Sequence, residues 1–242
     1  MSMPLEVSLI IPMYNESVIL KDTMATVQAY MKNTFKNDYE IIFVDDGSTD
    51  DTLEIAKKYA DERTRVLHYE PNRGKGCAVR MGMLAALGRI VVFTDCDLAY
   101  GTAVISDMVD YMKSHPEYGA VIGSRDLHPQ GYAGYSLARR IFSRTYRLVL
   151  RLFFGLRLSD SQSGIKAFSA AAAQEIFTRA QTDRFAFDFE AIMIGTRLGI
   201  AFGEMPVRVI NNRAGGKVHI LRDSVRMLRD LFRIKKRVKK IK

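Results

Sequence analysis

Through the first half of the chain, short unbroken apolar runs alternate with longer stretches in which apolar residues recur every three or four positions. The runs Val7–Ile11, Glu40–Val44, Arg65–Tyr69, Ile90–Thr94 and Ala120–Gly123 are rich in β-branched residues and predict strands. The stretches between them predict helices near Val18–Phe35, Asp51–Ala60, Cys77–Leu87 and Thr102–His115. Strands that are apolar throughout, rather than alternating, are strands covered on both faces. Joined through helices of this length, they predict an α/β fold with a mostly parallel sheet and helices on both faces.

In such a sheet ligands bind beyond the carboxyl ends of the strands. The polar motifs fall at that edge: Tyr14-Asn15-Glu16 follows the first strand, Asp45-Asp46-Gly47 the second and Asp95-Cys96-Asp97 the fourth. The pattern changes near Arg125. A loop rich in Gly, Pro and Tyr, His128–Tyr135, leads into a helix candidate over Leu137–Leu156. Its Arg140, Arg144, Arg147 and Arg151 recur at three- and four-residue spacing, while Ile141, Leu148, Leu152 and Phe153 populate other faces. This basic amphipathic helix has two readings: an interfacial position at a membrane, or a surface helix packing its apolar stripe on the sheet. Ser169–Ala173 reads as a small-residue helix start.

Composition adds the domain plan. At 242 residues, 48% of them hydrophobic, the chain can bury a full core as one catalytic domain with appendages. The net charge of +9 is uneven: residues 213–242 carry 12 Lys/Arg against Asp223 and Asp230, so +10, which leaves −1 for the rest. The expected division is a catalytic domain over 1–212 and a basic amphipathic segment over 213–242, where Leu221, Val225, Leu228, Leu231 and Phe232 recur at helical spacing. Such a segment suits an anionic partner, whether acidic lipid, nucleic acid or acidic protein; a solvated tail that aids solubility is the plain alternative. Cys77 and Cys96 are too few for a disulfide framework, and no charged-then-apolar leader precedes Val7, so a reducing, cytoplasmic compartment is expected. No uncharged apolar run approaches the roughly 20 residues that cross a bilayer.

The carboxylates at the strand ends carry the candidate chemistry. Asp45 and Asp46 precede Gly47-Ser48-Thr49-Asp50, a turn in which Ser48 could cap the next helix, so turn chemistry explains part of that run. Asp95 and Asp97, spaced i, i+2, can face one pocket if the backbone there is still extended. Two carboxylates in one pocket repel unless a cation sits between them and a diphosphate, and a hard divalent ion, Mg²⁺ or Mn²⁺, fits that requirement. Gly74-Lys75-Gly76 reads either as a tight turn into the following helix or as a donor contact through Lys75. His68, His115, His128 and His219 show no zinc-ligand spacing and read as incidental.

Three segments, Ile11-Pro12-Met13-Tyr14-Asn15-Glu16, Val44-Asp45-Asp46-Gly47-Ser48-Thr49-Asp50 and Thr94-Asp95-Cys96-Asp97, resemble the family 2 glycosyltransferases with the glycosyltransferase A fold, a Rossmann-like arrangement. The resemblance spans Val7 to about Leu231. Asn72-Arg73-Gly74-Lys75-Gly76, Gly123-Ser124-Arg125, Asp160–Phe168 and Arg184–Glu190 look like the dolichyl-phosphate β-glucosyltransferases and their prokaryotic relatives, and less like the dolichyl-phosphate mannose synthases. The resemblance implies that Pro12, Tyr14, Glu16 and Asp45 line the nucleoside pocket with Asp46 and Lys75 nearby. It implies that Asp95 contacts nucleotide or sugar and that Asp97 ligates the metal. Lipid-phosphate contacts would fall at Arg125 and in the arginine cluster that follows, Arg139 and Arg140, whose guanidinium forks suit phosphate. The mannose synthases carry a metal-binding Gln two residues beyond the second aspartate; Ala99 stands here, which weakens a GDP-mannose reading. Asp188 and Glu190 occupy the place of a general base in relatives that use a sugar acceptor, with a helix cap as the alternative for Asp188.

The implied reaction is inverting transfer of a sugar, glucose from UDP-glucose first, to a polyprenyl or dolichyl phosphate by a protein peripherally bound at the cytoplasmic membrane surface. A phosphate monoester is already a nucleophile at neutral pH, so Asp188 need not abstract a proton. The alternatives are a GDP-mannose donor, or a saccharide hydroxyl acceptor with Asp188 as base. Nucleic acid is not expected as a partner, because no recognition motif accompanies the tail and the strand-end carboxylates repel a polyanion.

Overall fold

Seven strands build the sheet: β1 Val7–Met13, β2 Tyr39–Asp45, β3 Thr64–His68, β4 Ile90–Thr94, β5 Ala120–Ser124, β6 Ile165–Ser169 and β7 Phe202–Pro206. The helices are α1 Ser17–Phe35, α2 Thr52–Tyr59, α3 Lys75–Ala85, α4 Ala103–Ser114, α5 Ala170–Arg179, α6 Phe187–Arg197 and α7 Ile220–Val238. This computed structural model describes residues 5–132, 145, 147–148, 150–156, 158–211 and 220–241, with the backbone alone for 220–228. The boundary expected at 212/213, Arg139, Arg140 and Arg144 lie outside the described residues, as does most of the Leu137–Leu156 helix candidate; 150–154 are helical.

The strand order is β3-β2-β1-β4-β6-β5-β7. The pairs β1·β2, β1·β4, β2·β3 and β5·β7 are parallel, and β6 runs antiparallel between β4 and β5. The elements expected through Gly123 are all present, with ends shifted by one or two residues. The two later strands were not expected. Lys166 interrupts β6 and Gly203 and Glu204 interrupt β7, so neither reads as an unbroken apolar run.

The unbroken apolar strands have the two-sided burial their sequence implies. In β1, Leu9 and Ile11 pack with Leu20 and Met24 of α1 and Ile105 and Met108 of α4. Ile10, between them, packs on the opposite face with Ala78, Val79 and Met83 of α3, and that same cluster takes in α5, α6 and α7. Gly82 lets α3 lie close against β1, since a Cβ there would stand 2.3 Å from Ile10 Cγ2. α5 starts as its sequence suggests, Ser169 accepting the Ala172 N–H at 3.2 Å as N-cap. At the amino edge of the sheet, buried Glu40 accepts from Ser8 Oγ (2.6 Å), the Leu87 N–H (2.7 Å) and Arg65 (2.9 Å), which ties β1, β2, β3 and the α3–β4 turn together.

The C-terminal helix departs from expectation. Leu231, Ile234 and Val238 are buried against α6, while Phe232 is exposed. Leu231 therefore belongs to the core and not to an outward apolar face; the side chains of Leu221, Val225 and Leu228 lie outside the described residues. Among the described residues no helix is long and apolar enough to cross a membrane.

Candidate active site

Loops at the carboxyl edge of β1 and β2 are stitched together by their polar residues. The Asn15 N–H donates to Ser48 Oγ at 2.9 Å, the Thr49 N–H to Asn15 Oδ1 at 2.8 Å, and the Glu16 N–H to Thr52 Oγ1 at 2.7 Å. Pro12 is buried within β1, and Tyr14 is exposed at the rim. Asp45 is fully buried and accepts from the Ser48 N–H (3.2 Å) and Ser48 Oγ (2.5 Å), with His68 Nδ1 at 2.8 Å. Ser48 is thus committed to Asp45 and Asn15 and does not cap α2, whose N-cap position is Asp51. His68, read as incidental, is a partner of Asp45. Asp46 anchors the next loop: its carboxylate accepts from Tyr69 Oη (2.7 Å), Asn72 Nδ2 (2.9 Å) and the N–H groups of Arg73 (2.8 Å) and Gly74 (2.9 Å). Burial and that carboxylate together raise the Tyr69 pKa.

The Asp46-anchored loop delivers Lys75. Gly74 has φ 117, a conformation that favours glycine, and its Cβ would stand 2.6 Å from the Asp183 carbonyl, so the loop lies flat on residues 182–184. Arg73 and Arg80 both grip Asp183, at 2.9 and 2.7 Å. Lys75 begins α3 and its ammonium pairs with Asp95. Burial pulls the Lys75 pKa down, but Asp95, Asp188 and Asp97 outweigh it and hold the ammonium above its ordinary value. Asp95, in direct contact, is the strongest of the three.

The backbone carrying Asp95 and Asp97 is not extended, as the i, i+2 argument requires. It turns: the Leu98 N–H donates to the Asp95 carbonyl at 3.0 Å, Leu98 has φ 48, and Asp97 Oδ1 accepts the Ala99 N–H at 3.1 Å. Because β6 is antiparallel to β4, the loop before it reaches the same edge. Gly164 lies on Asp95, where a Cβ would stand 2.2 Å from Oδ2. Lys166, in β6, is buried and donates to the Ser163 carbonyl and to Asp188 Oδ1, both at 2.6 Å. Burial raises the Asp188 pKa, and Lys166 and Lys75 pull against that rise. Asp188 lies in the first turn of α6 and does not cap it; the N-cap position is Ala186. Glu190, one helical step on, serves a different end. Fully buried, it accepts the N–H groups of Gln181 (2.9 Å) and Thr182 (2.6 Å) and pairs with Arg237 of α7.

Arg125, at the end of β5, has its guanidinium fork on buried Asp160, with Nε 2.6 Å from Oδ2 and Nη2 2.8 Å from Oδ1. Beside it Arg147 pairs with Asp126 and donates to the Ser159 carbonyl at 3.0 Å. A cavity of about 500 Å³ opens here, lined by Arg147, Arg151 and Asp126 on its polar side and by Leu148, Leu156 and Leu158 on its apolar side.

The carboxyl edge of the sheet thus gathers acidic pairs, a lysine at a helix start and an arginine, and the sequence that builds it matches the description "Glycosyl transferase family 2" over residues 8–177. The chain belongs to glycosyl transferase family 2. A dolichyl-phosphate beta-glucosyltransferase of Drosophila melanogaster is 35% identical to this transferase, over 95% of this chain and 74% of that protein. The Saccharomyces cerevisiae protein of the same name is 30% identical over 94% of this chain and 73% of its own length. Glycosyltransferase AglD of Haloferax volcanii is 32% identical over 94% of this chain, which spans 36% of that longer protein. Among solved structures, glucosyl-3-phosphoglycerate synthase from Mycobacterium tuberculosis, in complex with Mn²⁺, UDP and phosphoglyceric acid, superposes with a TM-score of 0.72. That match covers 97% of this chain and 78% of that one at 20% identity, and shows a shared fold.

Lys166, Asp160 and His68 were not expected among the contacts of this edge. The first two sit inside the Asp160–Phe168 motif, where a lysine in an otherwise apolar strand was the available signal. His68 ends β3 at the same carboxyl edge, and register with Asp45 is the only thing that marks it.

Proposed function

We propose that this glycosyltransferase moves glucose from UDP-glucose to a polyprenyl or dolichyl phosphate, with inversion at the anomeric carbon. The observation that carries this reading is the alignment of dolichyl-phosphate beta-glucosyltransferases with nearly the whole chain, as in the 95% covered by the Drosophila melanogaster protein. A β product from an α-linked nucleotide sugar requires inversion. Pro12, Tyr14, Glu16 and Asp45 form the nucleoside pocket, and Asp46 positions the loop that presents Lys75. Lys75 exchanges Asp95 for the incoming diphosphate, which leaves the Asp95 carboxylate free to meet the sugar.

Asp97 would hold a divalent ion, Mg²⁺ or Mn²⁺. Among the described residues no group of three His, Cys, Asp or Glu is placed to hold a metal by itself. A carboxylate is the donor type that a hard ion takes. When bound, such an ion would neutralise charge on the departing diphosphate.

An acceptor phosphate has its second pKa near 6 and needs no base. The Lys166 ammonium holds the Asp188 carboxylate at 2.6 Å, which suits Asp188 to orienting the sugar. Asp188 and Lys166 orient the sugar, and Arg125, Arg139 and Arg140 meet the acceptor phosphate, which competes with Asp160 for the Arg125 fork. The catalytic unit is 1–212, and 213–242 attaches it peripherally to the cytoplasmic face of an anionic membrane.

A donor panel assayed against polyprenyl phosphate with Mg²⁺ and with Mn²⁺ tests the reading. UDP-glucose should give more glycolipid than GDP-mannose at matched concentration, in keeping with Ala99. A clear preference for GDP-mannose, or transfer only to saccharide hydroxyls, would overturn it.

A further inference from the structure

Four large apolar side chains stand out in solvent on two neighbouring helices: Leu148 at 55%, Leu152 at 69%, Phe153 at 54% and Phe232 at 53% exposure. Leu148 and Leu152 are one turn apart on the helical segment that ends at Phe154, and Phe153 follows directly. Phe232 comes from α7, and its ring lies 6.3 Å from that of Phe153 and 5.3 Å from that of Phe154. Lys235 fastens the two helices, donating to the Phe153 carbonyl at 2.5 Å with its ammonium 5.2 Å from the centre of the Phe154 ring. The four residues therefore form one patch on a fixed two-helix platform.

The rim of the patch is basic. On α7 the buried positions Leu231, Ile234 and Val238 face the core, and the exposed ones, Arg229, Phe232, Arg233 and Lys236, form the opposite stripe. Exposed Arg151 stands between Leu148 and Leu152 on the other helix. An apolar centre ringed by one sign of charge suits a surface that is greasy within and anionic at its boundary, as a lipid headgroup layer is. It does not suit a nucleic acid, which offers no apolar partner to four leucine and phenylalanine side chains. Leu148 and Arg151 also line the cavity beside Arg147, next to the Arg125–Asp160 bridge, so the patch continues toward the site of the phosphate acceptor.

We propose that Leu148, Leu152, Phe153 and Phe232, with Arg151, Arg229, Arg233 and Lys236 around them, form the surface by which this protein enters the headgroup layer of an anionic bilayer. The inference rests on the lipid-phosphate reading for its purpose and not for its test. Leu231, Ile234 and Val238 of α7 are spent on the protein core, so the described part of the helix contributes a basic stripe and one aromatic wedge, and the neighbouring helix supplies the remaining apolar area. The cavity beside the patch then lets the acceptor's phosphate reach Arg147 and Arg125 while its hydrocarbon stays with the lipid.

The test is sedimentation of the full chain with phosphatidylcholine vesicles, with and without phosphatidylserine, at low and high salt. The apolar variant Leu152→Ser/Phe153→Ser/Phe232→Ser should lower vesicle partition by more than about tenfold at either salt. The charge variant Arg229→Ala/Arg233→Ala/Lys236→Ala should lose about fivefold per charge on anionic vesicles at low salt and little at high salt. UDP binding, read by calorimetry, should be unchanged in both, which shows that they fold. Wild-type binding by the apolar variant overturns the proposal. So does an apolar variant that keeps vesicle binding but loses self-association, which would make the patch an interface between copies. A wild type that glucosylates a short, water-soluble polyprenyl phosphate yet ignores vesicles overturns the surface alone. A wild type that binds vesicles through the patch but transfers no glucose supports the surface and defeats the proposed reaction.

Discussion

Gly164 offers the most direct test of the reactive edge, because one methyl group there reaches a proposed catalytic carboxylate without touching the core. Its Cβ would stand 2.2 Å from Asp95 Oδ2 and 2.8 Å from Cγ, where side chains do not come closer than 3.0 Å. Either the loop or the carboxylate gives way. The loop is held at several points: Asp160 by Arg125, the Ser159 N–H by Glu204 at 2.7 Å, and the Ser163 carbonyl by Lys166 at 2.6 Å. The Asp95 side chain is one-third exposed and is the softer partner. Gly164→Ala should therefore push Asp95 back by roughly 1 Å and loosen its pairing with Lys75, and a misplacement of that size costs about 10²-fold in rate. Stability should change little, since Gly→Ala also stiffens the unfolded chain by about 0.4–1 kcal/mol. Initial rates of glucolipid formation at varied UDP-glucose, with thermal unfolding of both proteins, read the two effects separately. A variant within twofold of wild-type kcat/KM would refute the argument that Asp95 is held in place by the absence of a side chain at 164.

Three further outcomes follow from other residues. Asp97→Asn should fold normally and lose about 2.7–4 kcal/mol of transition-state stabilisation, a few hundredfold in turnover; wild-type turnover in chelated buffer would remove the metal assignment. Arg237→Ala should lower urea stability by about 1.5–3 kcal/mol, because Glu190 loses a charged hydrogen-bond donor; an unchanged midpoint would mean that α7 is not held there. The third concerns pH. Burial raises the Asp188 pKa against the pull of Lys166 and Lys75, so the folded chain holds that proton more tightly than the unfolded chain. The stability it adds is complete below the ordinary carboxylate pKa and is lost as pH rises through the raised value. Asp188→Asn should therefore flatten the fall in stability across that window, and identical slopes in urea titrations from acid to neutral pH would contradict the assignment.

The first 125 residues were legible because their physics is local and redundant. An unbroken run such as Leu9–Met13 is apolar on both sides because both sides are buried, and the helices between the strands repeat their apolar residues with a helical period. β6 was hidden by Lys166, a charged residue that is buried only because Asp188, 22 residues away, and the Ser163 carbonyl neutralise it. No window of sequence shows that pairing. The same holds for α7, whose basic stripe was visible while the destination of its apolar residues depended on where the helix docks. Asp45 and Asp95 were located at the correct edge by strand ends alone, but the turn that carries Asp97 has Leu98 at positive φ, which nothing in its residue types foretells.

The antiparallel strand also explains how residues 160–166 reach the acidic edge. In an all-parallel sheet the loop preceding a strand lies at the amino edge, far from the carboxyl ends of its neighbours. Reversing β6 brings residues 160–164 to the carboxyl edge, where Ile165 pairs with Thr94 and Gly164 meets Asp95. The same reversal carries Lys166 to Asp188 and sets Asp160 against Arg125 on the neighbouring strand. Three carboxylates of this edge then have a cation beside them: Lys75 for Asp95, Lys166 for Asp188 and Arg125 for Asp160. An edge wired in this way has several cations to lend to phosphate. Its chemistry is better matched to an acceptor that arrives already ionised.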